Sequence, residues 1–316
     1  KEDKVIIPAI YSFLQQDYPR ELYDIIVISD QMQESTNEAL RQLPVRLLIA
    51  DYTDSSKAKA MSLAMNATAD IPYDAVVIMD ADNTAGTSFL SELNPVFQSG
   101  ARAVQAHRTA KNTNTDIAVL DAASEEINNS IFRSGHIALG LSSALIGSGM
   151  ALEACWFRQH IHLLETAGED KEMEALLLKQ RIHIEYLEHV YVKDEKTQKK
   201  EGIKNQRKRW IAAQFDSLVR TLPDFPKELL RGNIDYCDKV FQWTLLPRII
   251  LIFCTFFFTI LVTLVSPYSS IKWWILAFAL FLALFTAIPG HLLNKQLLRA
   301  IFQLSLIHIS EPTRHS

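Results

Sequence analysis

The sequence predicts an α/β domain, with a mostly parallel sheet carrying helices on both faces, followed by transmembrane helices. Two observations carry this. From residue 23 to 106, apolar runs of strand length alternate with helical stretches, the order that builds a helix-covered parallel sheet. Residues 249–265 and 273–289 contain no Asp, Glu, Lys or Arg, and each run is just long enough to cross a bilayer. At 316 residues the chain exceeds the usual size of one domain. A formal net charge of -4 and a pI near 6.2 argue against nucleic acid as the main partner. Cys155, Cys237 and Cys254 lie too far apart for a zinc knuckle, and an odd number does not suggest a disulfide framework. They read as free thiols in a reducing compartment.

Residues 23–29 (YDIIVIS) form an apolar run ending in Asp30, as a strand buried on both faces would. Ser35 and Thr36 are placed to cap a helix reaching Gln42, residues 45–50 read as a second strand, and 57–66 as an alanine-rich helix. A third strand, 75–79, runs directly into Asp80-Ala81-Asp82. Residues 89–97 read as a helix closed by Gly100, and 101–106 as the next strand. A long helix over 117–132 follows, then a Gly- and Ser-rich loop with a short strand over 140–149. Helices over 171–181 and 203–222 complete the first part, residues 1–222. In parallel sheets ligands bind beyond the carboxyl ends of the strands, where Asp30 and the Asp80/Asp82 pair both fall.

Residues 223–248 read as an interfacial amphipathic segment, with Trp243 and Arg248 suited to the membrane surface. Residues 249–303 read as a transmembrane hairpin whose connection, 266–272, leads into Trp273 and Trp274. Arg231, Lys239 and Arg248 precede the hairpin, Lys295 and Arg299 follow it, and Lys272 alone lies between. This bias places residues 1–222 in the cytoplasm, on a multi-pass protein of the inner (plasma) membrane. Two buried core helices are the blander alternative, but a soluble domain of this size rarely needs adjacent charge-free helices. Residues 304–314, LSLIHISEPTR, read as the translation of an adapter used in DNA sequencing libraries. The native sequence is therefore expected to end near Gln303, with 304–316 a non-native tail.

Asp80 and Asp82, two apart at a strand end, can aim carboxylates at one hard cation, Mg²⁺ or Mn²⁺, leaving positions for diphosphate oxygens and water. The bland alternative is a pair of turn aspartates capping the next helix; the hydrophobic strand directly before them favours the metal. Asp30 can accept hydrogen bonds from a nucleobase or ribose. Lys57 lies at a helix start, where phosphate binds well. Singly, either could equally be a cap or a surface charge. Asp170 follows Gly168-Glu169 at another helix start, as a first-turn acid or a base. Gln206, Arg209 and Trp210, at i, i+3 and i+4, share one helix face. Amide, guanidinium and indole suit a diphosphate and a sugar ring, or else a basic membrane-surface helix with its Trp packed.

Asp30, Lys57, Asp80-Ala81-Asp82, Gly147-Ser148-Gly149-Met150, Gly168-Glu169-Asp170 and Gln206-Arg207-Lys208-Arg209-Trp210, in that order and before apolar helices, resemble the family 2 glycosyltransferases. The resemblance is greatest to the cellulose, hyaluronan and poly-N-acetylglucosamine synthase branch, which SFLQQDYPRELYDIIVISD also resembles. It implies a GT-A fold and a membrane-bound, metal-dependent, inverting hexosyl- or N-acetylhexosaminyltransferase of polysaccharide and cell-envelope biosynthesis. The donor would be a UDP-sugar, the acceptor a glycan or lipid-linked glycan, and accessory export subunits would count among the partners. By the same resemblance Asp30 and Lys57 hold the uridine, and Asp80 and Asp82 contact the diphosphate and its Mg²⁺ or Mn²⁺. Asp170 matches the catalytic base, and Gln206, Arg209 and Trp210 line the acceptor and diphosphate site. Three departures stand out: Lys1-Glu2-Asp3 resembles only the tail of the Pro-Ala-x-Asn/Lys-Glu pattern after the family's first strand, Ser56 replaces a Gly, and Gly168 replaces a Thr. The alternatives are a non-processive transferase adding one sugar to a lipid or envelope glycan, and a non-catalytic membrane scaffold. A scaffold has no physical need for three clusters of unpaired carboxylates.

Overall fold

The computed structural model describes residues 2–166, 168–196 and 200–301, so Gln303 and the predicted tail at 304–316 lie outside the described residues. Ile6–Leu14 forms α1, which buries Ile6, Ala9 and Ile10. The first apolar run becomes β1 (Ile26–Asp30), and α2 (Glu34–Arg41) returns the chain to β2 (Arg46–Ala50). β1 and β2 pair in parallel, with Asp30 opposite Ala50. The cap of α2 differs from expectation, because Ser35 and Thr36 lie inside its first turn. The carboxylate of Asp3 supplies the acceptor instead, taking hydrogen bonds from Gln33 N and Thr36 Oγ1, both at 2.8 Å. α3 (Lys57–Ala67) is capped by Ser56, whose hydroxyl accepts from Lys59 N at 3.2 Å.

Next come β3 (Ala75–Ile78), β4 (Thr84–Ala85), α4 (Phe89–Gln98), β5 (Ala103–Ala110) and α5 (Asp116–Asn128). α5 continues through a π-helical turn, Asn129–Ser134, into the short α6 (Gly135–Ala138). β6 (Met150–Glu153), α7 (Ala154–His160), α8 (Glu169–Lys179), β7 (Ile184–Asp194) and α9 (Lys200–Thr221) complete this part. The five-stranded sheet runs β3-β6-β5-β7-β4 and is mixed, which corrects the mostly parallel expectation. Only β5 and β7 pair in parallel there, while β3/β6, β6/β5 and β7/β4 are antiparallel. The reason is insertion: the Gly-rich loop before Met150 delivers β6 in reverse between β3 and β5. Helix–strand alternation over the first hundred residues carried no information about where that later strand would enter. β7 was not anticipated at all, yet it is the parallel partner of β5, with a bulge where Ala106 faces Leu187 and His107 faces Tyr191.

One layer of core lies between the sheet and α3, α7 and α8, built on Met61, Leu152, Phe157, Leu177 and Ile184. The other face packs Val104, Ala151 and Val192 against Phe89 and Leu93 of α4.

α10 (Phe225–Leu230) and α11 (Ile234–Thr244) lead into α12 (Arg248–Val265) and α13 (Pro267–Thr286). The predicted connection over 266–272 shrinks to Ser266, because Pro267 serves as the first residue of α13, where a missing N–H costs nothing. Trp243, predicted at the membrane surface, proves to be packed. Tyr236, Lys239, Val240 and Trp243 are the buried stripe of α11, and Lys239 pairs with Glu174 at 2.8 Å. α12 and α13 meet through Thr259, Ser270 and Ala277, while Trp274 Nε1 donates to Thr263 Oγ1 at 3.1 Å. Only 6% and 11% of the two apolar windows are buried, which disfavours the soluble-core alternative.

Candidate active site

Four segments far apart in sequence meet at the sheet end. Lys57, the first residue of α3, bonds the Asp80 carboxylate after β3 and donates to Gly147 O at 2.6 Å. Gly147 has φ +81°, open to glycine at little cost. A Cβ there would stand 3.7 Å from Lys57 Nζ and 3.8 Å from Asp170 Oδ2, so lysine and acid close over the same bare backbone. The loop is held from below by buried Gln105, whose amide donates to Ser148 O at 3.0 Å and accepts from Ile146 N at 3.1 Å. Asp170 opens α8, with Oδ1 accepting from Lys171 N at 2.9 Å. Its neighbour Glu169 is made less acidic by burial, with Lys57 opposing and Asp170 and Asp80 reinforcing the shift.

Asp82 lies beside this cluster. Buried Asn83 donates to Asp82 Oδ1 at 3.0 Å and accepts from Asp80 N at 3.2 Å, tying both aspartates into one turn. Burial first, then the charges of Asp194 and Asp80, push the Asp82 carboxyl up to about 6. Negative charge is thus in surplus here, and among the described residues the cation touching Asp80 is the Lys57 side chain. Among the described residues no three His, Cys, Asp or Glu side chains converge as a protein cage. Two hard carboxylates with other positions left open fit a Mg²⁺- or Mn²⁺-type ion, which takes its remaining ligands from water and substrate phosphate.

The other predicted residues are placed as follows. Asp30, at the end of β1, accepts from Ser55 Oγ at 2.6 Å, which joins it to the turn leading into Lys57. Gln206, Arg209 and Trp210 lie on α9, and Trp210 is exposed. α9 reaches the site through Gly168: a Cβ on that residue would come within 2.9 Å of Ala213 Cβ, one turn beyond Trp210. This close approach accounts for the glycine at this position. Sequence reasoning gave Glu169 no role and missed Asn83, Arg108, Glu125, Asp194 and Lys196, the last four forming a buried ion cluster behind Asp82. The alternating pattern of β7 was the available signal for its terminal Asp194.

A lysine, two turn aspartates and a helix-opening acid thus stand together at the sheet end of this α/β domain. A family profile described as "Glycosyltransferase like family 2" matches residues 1–213, and the chain belongs to that family. Among solved structures it is similar to the mannosyltransferase PcManGT from Pyrobaculum calidifontis in complex with GDP-Man and Mn²⁺. That likeness is one of fold: 16% identity and a TM-score of 0.51, covering 90% of this chain and 83% of that one. S. aureus TarS 1–349 is 12% identical at TM-score 0.47, covering 92% of this chain and 79% of that one. The same fragment in complex with UDP-GlcNAc is 11% identical at TM-score 0.45, covering 69% and 63%. No curated protein sequence matches the chain.

Proposed function

We propose that this chain is an inverting glycosyltransferase that moves a sugar from a UDP-sugar to a glycan or lipid-linked acceptor at a membrane surface. The observation that carries the reading is the meeting of Lys57, Asp80, Gly147 and Asp170 from four separate segments. Asp30 holds the base or ribose, and Lys57 the diphosphate side of the donor. Asp80 and Asp82 hold Mg²⁺ or Mn²⁺, which when bound stabilises the charge of the departing diphosphate. Asp170 accepts the proton of the acceptor hydroxyl, and Gln206, Arg209 and Trp210 line the acceptor's approach. The order of the motifs supports the polysaccharide-synthase branch, and product length distinguishes it from single-sugar transfer.

Membrane attachment is supported by the charge-poor α12 and α13 and by α9 itself. Ile211, Phe215, Val219 and Leu222 recur along one side of that helix and its end, each more than half exposed. The decisive experiment incubates the membrane-embedded protein with a panel of UDP-sugars and GDP-Man, and measures nucleotide release. Release from a UDP-sugar supports the reading, GDP release alone changes the donor, and no release with any donor favours a scaffold. Asp82→Asn is expected to weaken Mn²⁺-dependent UDP binding about tenfold in calorimetry, since one hard ligand is lost. Unchanged affinity would remove Asp82 from the site.

A further inference from the structure

β4 leaves the Asp80/Asp82 turn and pairs antiparallel with the end of β7, Thr84 facing Lys193 and Ala85 facing Val192. Continued by one residue, that register sets Asn83, the residue clamping both aspartates, alongside Asp194. Asp194 also faces Ala110 of β5 and accepts from Lys111 N at 2.7 Å through its carbonyl, so three strands join at this residue. Its carboxylate is fixed from two sides: Lys196 Nζ lies at 3.0 Å and Arg108 Nε at 3.5 Å. Both cations also pair with Glu125, at 3.7 Å and 3.0 Å, and Arg133 reaches Glu125 at 3.3 Å. Arg108 further donates to Ile146 O at 3.2 Å, so the same guanidinium steadies the loop on which Lys57 rests. None of these five side chains is more than 17% exposed.

Burying five charges is not a route to stability, because apolar side chains of equal volume commonly hold a fold as well or better. The cluster holds three cations and two anions, and the anion it fixes at the strand junction beside the Asp80/Asp82 turn is Asp194. We infer that Asp194, clamped by Arg108 and Lys196 at the strand junction beside that turn, is a positioning residue that sets the turn's affinity for its divalent cation without ligating it. The inference rests on the metal reading of Asp80 and Asp82. Its physics is Coulombic: a fixed anion near a dication favours binding, and a cation paired with that anion partly cancels the effect.

The test titrates Mn²⁺ into the whole membrane-embedded protein in the presence of UDP, reading free Mn²⁺ by electron paramagnetic resonance. Asp194→Asn is expected to weaken Mn²⁺ binding roughly three- to tenfold, Asp194→Glu to restore most of it, and Lys196→Met to tighten it roughly twofold. Opposite signs are the diagnostic, since a merely structural cluster would weaken binding whichever partner is removed. Wild-type affinity in folded Asp194→Asn, or weakening by both substitutions, overturns the role of Asp194. Wild-type protein that binds no Mn²⁺ overturns the metal reading and this inference together. Where Asp194→Asn does not fold, the paired Asp194→Asn/Lys196→Met variant removes both charges; weaker Mn²⁺ binding than in Lys196→Met supports the role, and equal binding overturns it.

Discussion

Around Asp80 the chain buries charge, whereas along α12 and α13 it leaves apolar side chains uncovered. Arg108, Glu125, Arg133 and Lys196 lie inside the domain, each with an oppositely charged partner. Phe253, Phe257, Leu264 and Phe278 stand on the outside of the hairpin with no protein against most of their surface. Charge tolerates burial when its partners are built in, because the desolvation of one ion is offset by the field of another. Oil tolerates exposure when the surrounding solvent is itself oil. The site around Asp80 is therefore organised by pairing, and the exposed apolar surface of the hairpin is what the proposed membrane attachment rests on.

The sharpest way to break the first half of this contrast is Asp170→Asn, which keeps shape and removes basicity. Transfer is expected to slow about 10²-fold or more with donor affinity intact, the usual worth of general base catalysis. If Asp170 is merely a first-turn acid of α8, the change costs about 1 kcal/mol of stability or less and the rate stays near normal. Donor binding and transfer measured on one membrane preparation separate the outcomes.

The second half breaks at Phe257. Phe257→Arg places a cation on the exposed face of α12 at a cost of about 3 kcal/mol in a bilayer, so a larger fraction of the chain should wash out on alkaline extraction. Unchanged retention would mean that face does not meet lipid.

Gly168→Ala tests the seam between α8 and α9. A methyl group 2.9 Å from Ala213 Cβ must displace one helix, at about 1–3 kcal/mol, seen as a lower thermal midpoint. Ala213→Gly in the same chain should return most of the loss. No recovery would mean that the two positions do not compete for space.

The smallest effect concerns pH. His136 on α6 pairs with Asp238 on α11 at 3.2 Å, and the hydrogen bond to Asp238 raises the imidazole above its ordinary 6.5, with burial opposing. Because the folded value is the higher, this stabilisation is complete below 6.5 and is lost as pH rises through the folded value. A midpoint falling by about 2 °C or less between mildly acidic and mildly alkaline buffer is expected, and His136→Gln should abolish that slope. An equal slope in the variant would exclude His136 as its source.

Much of this was legible in the sequence because it is local. An apolar run of strand length specifies a strand wherever it lies, so β1, β2 and β3 were read within a few residues. Residues 57–66 were read as a helix from their alanine-rich run, and the two charge-free runs became helices on composition alone. Lys57, Asp80 and Asp170 could be named as residue types at element ends. Their meeting over Gly147 could not be read from one strand or helix, because it depends on β6 entering the sheet in reverse.

Tertiary structure alone decided the rest. Asp3 rather than Ser35 caps α2 because the chain's start folds across that helix, a contact spanning thirty residues. Trp243 looks like a membrane-surface residue on its own, yet it turns inward beside Lys239 because α11 packs that stripe against α8 and α9. The Arg108–Asp194–Lys196 cluster was invisible for the same reason. A charged residue in a sequence carries no mark of its partner, and whether it is solvated or buried is fixed only when distant segments bring the opposite charge to it.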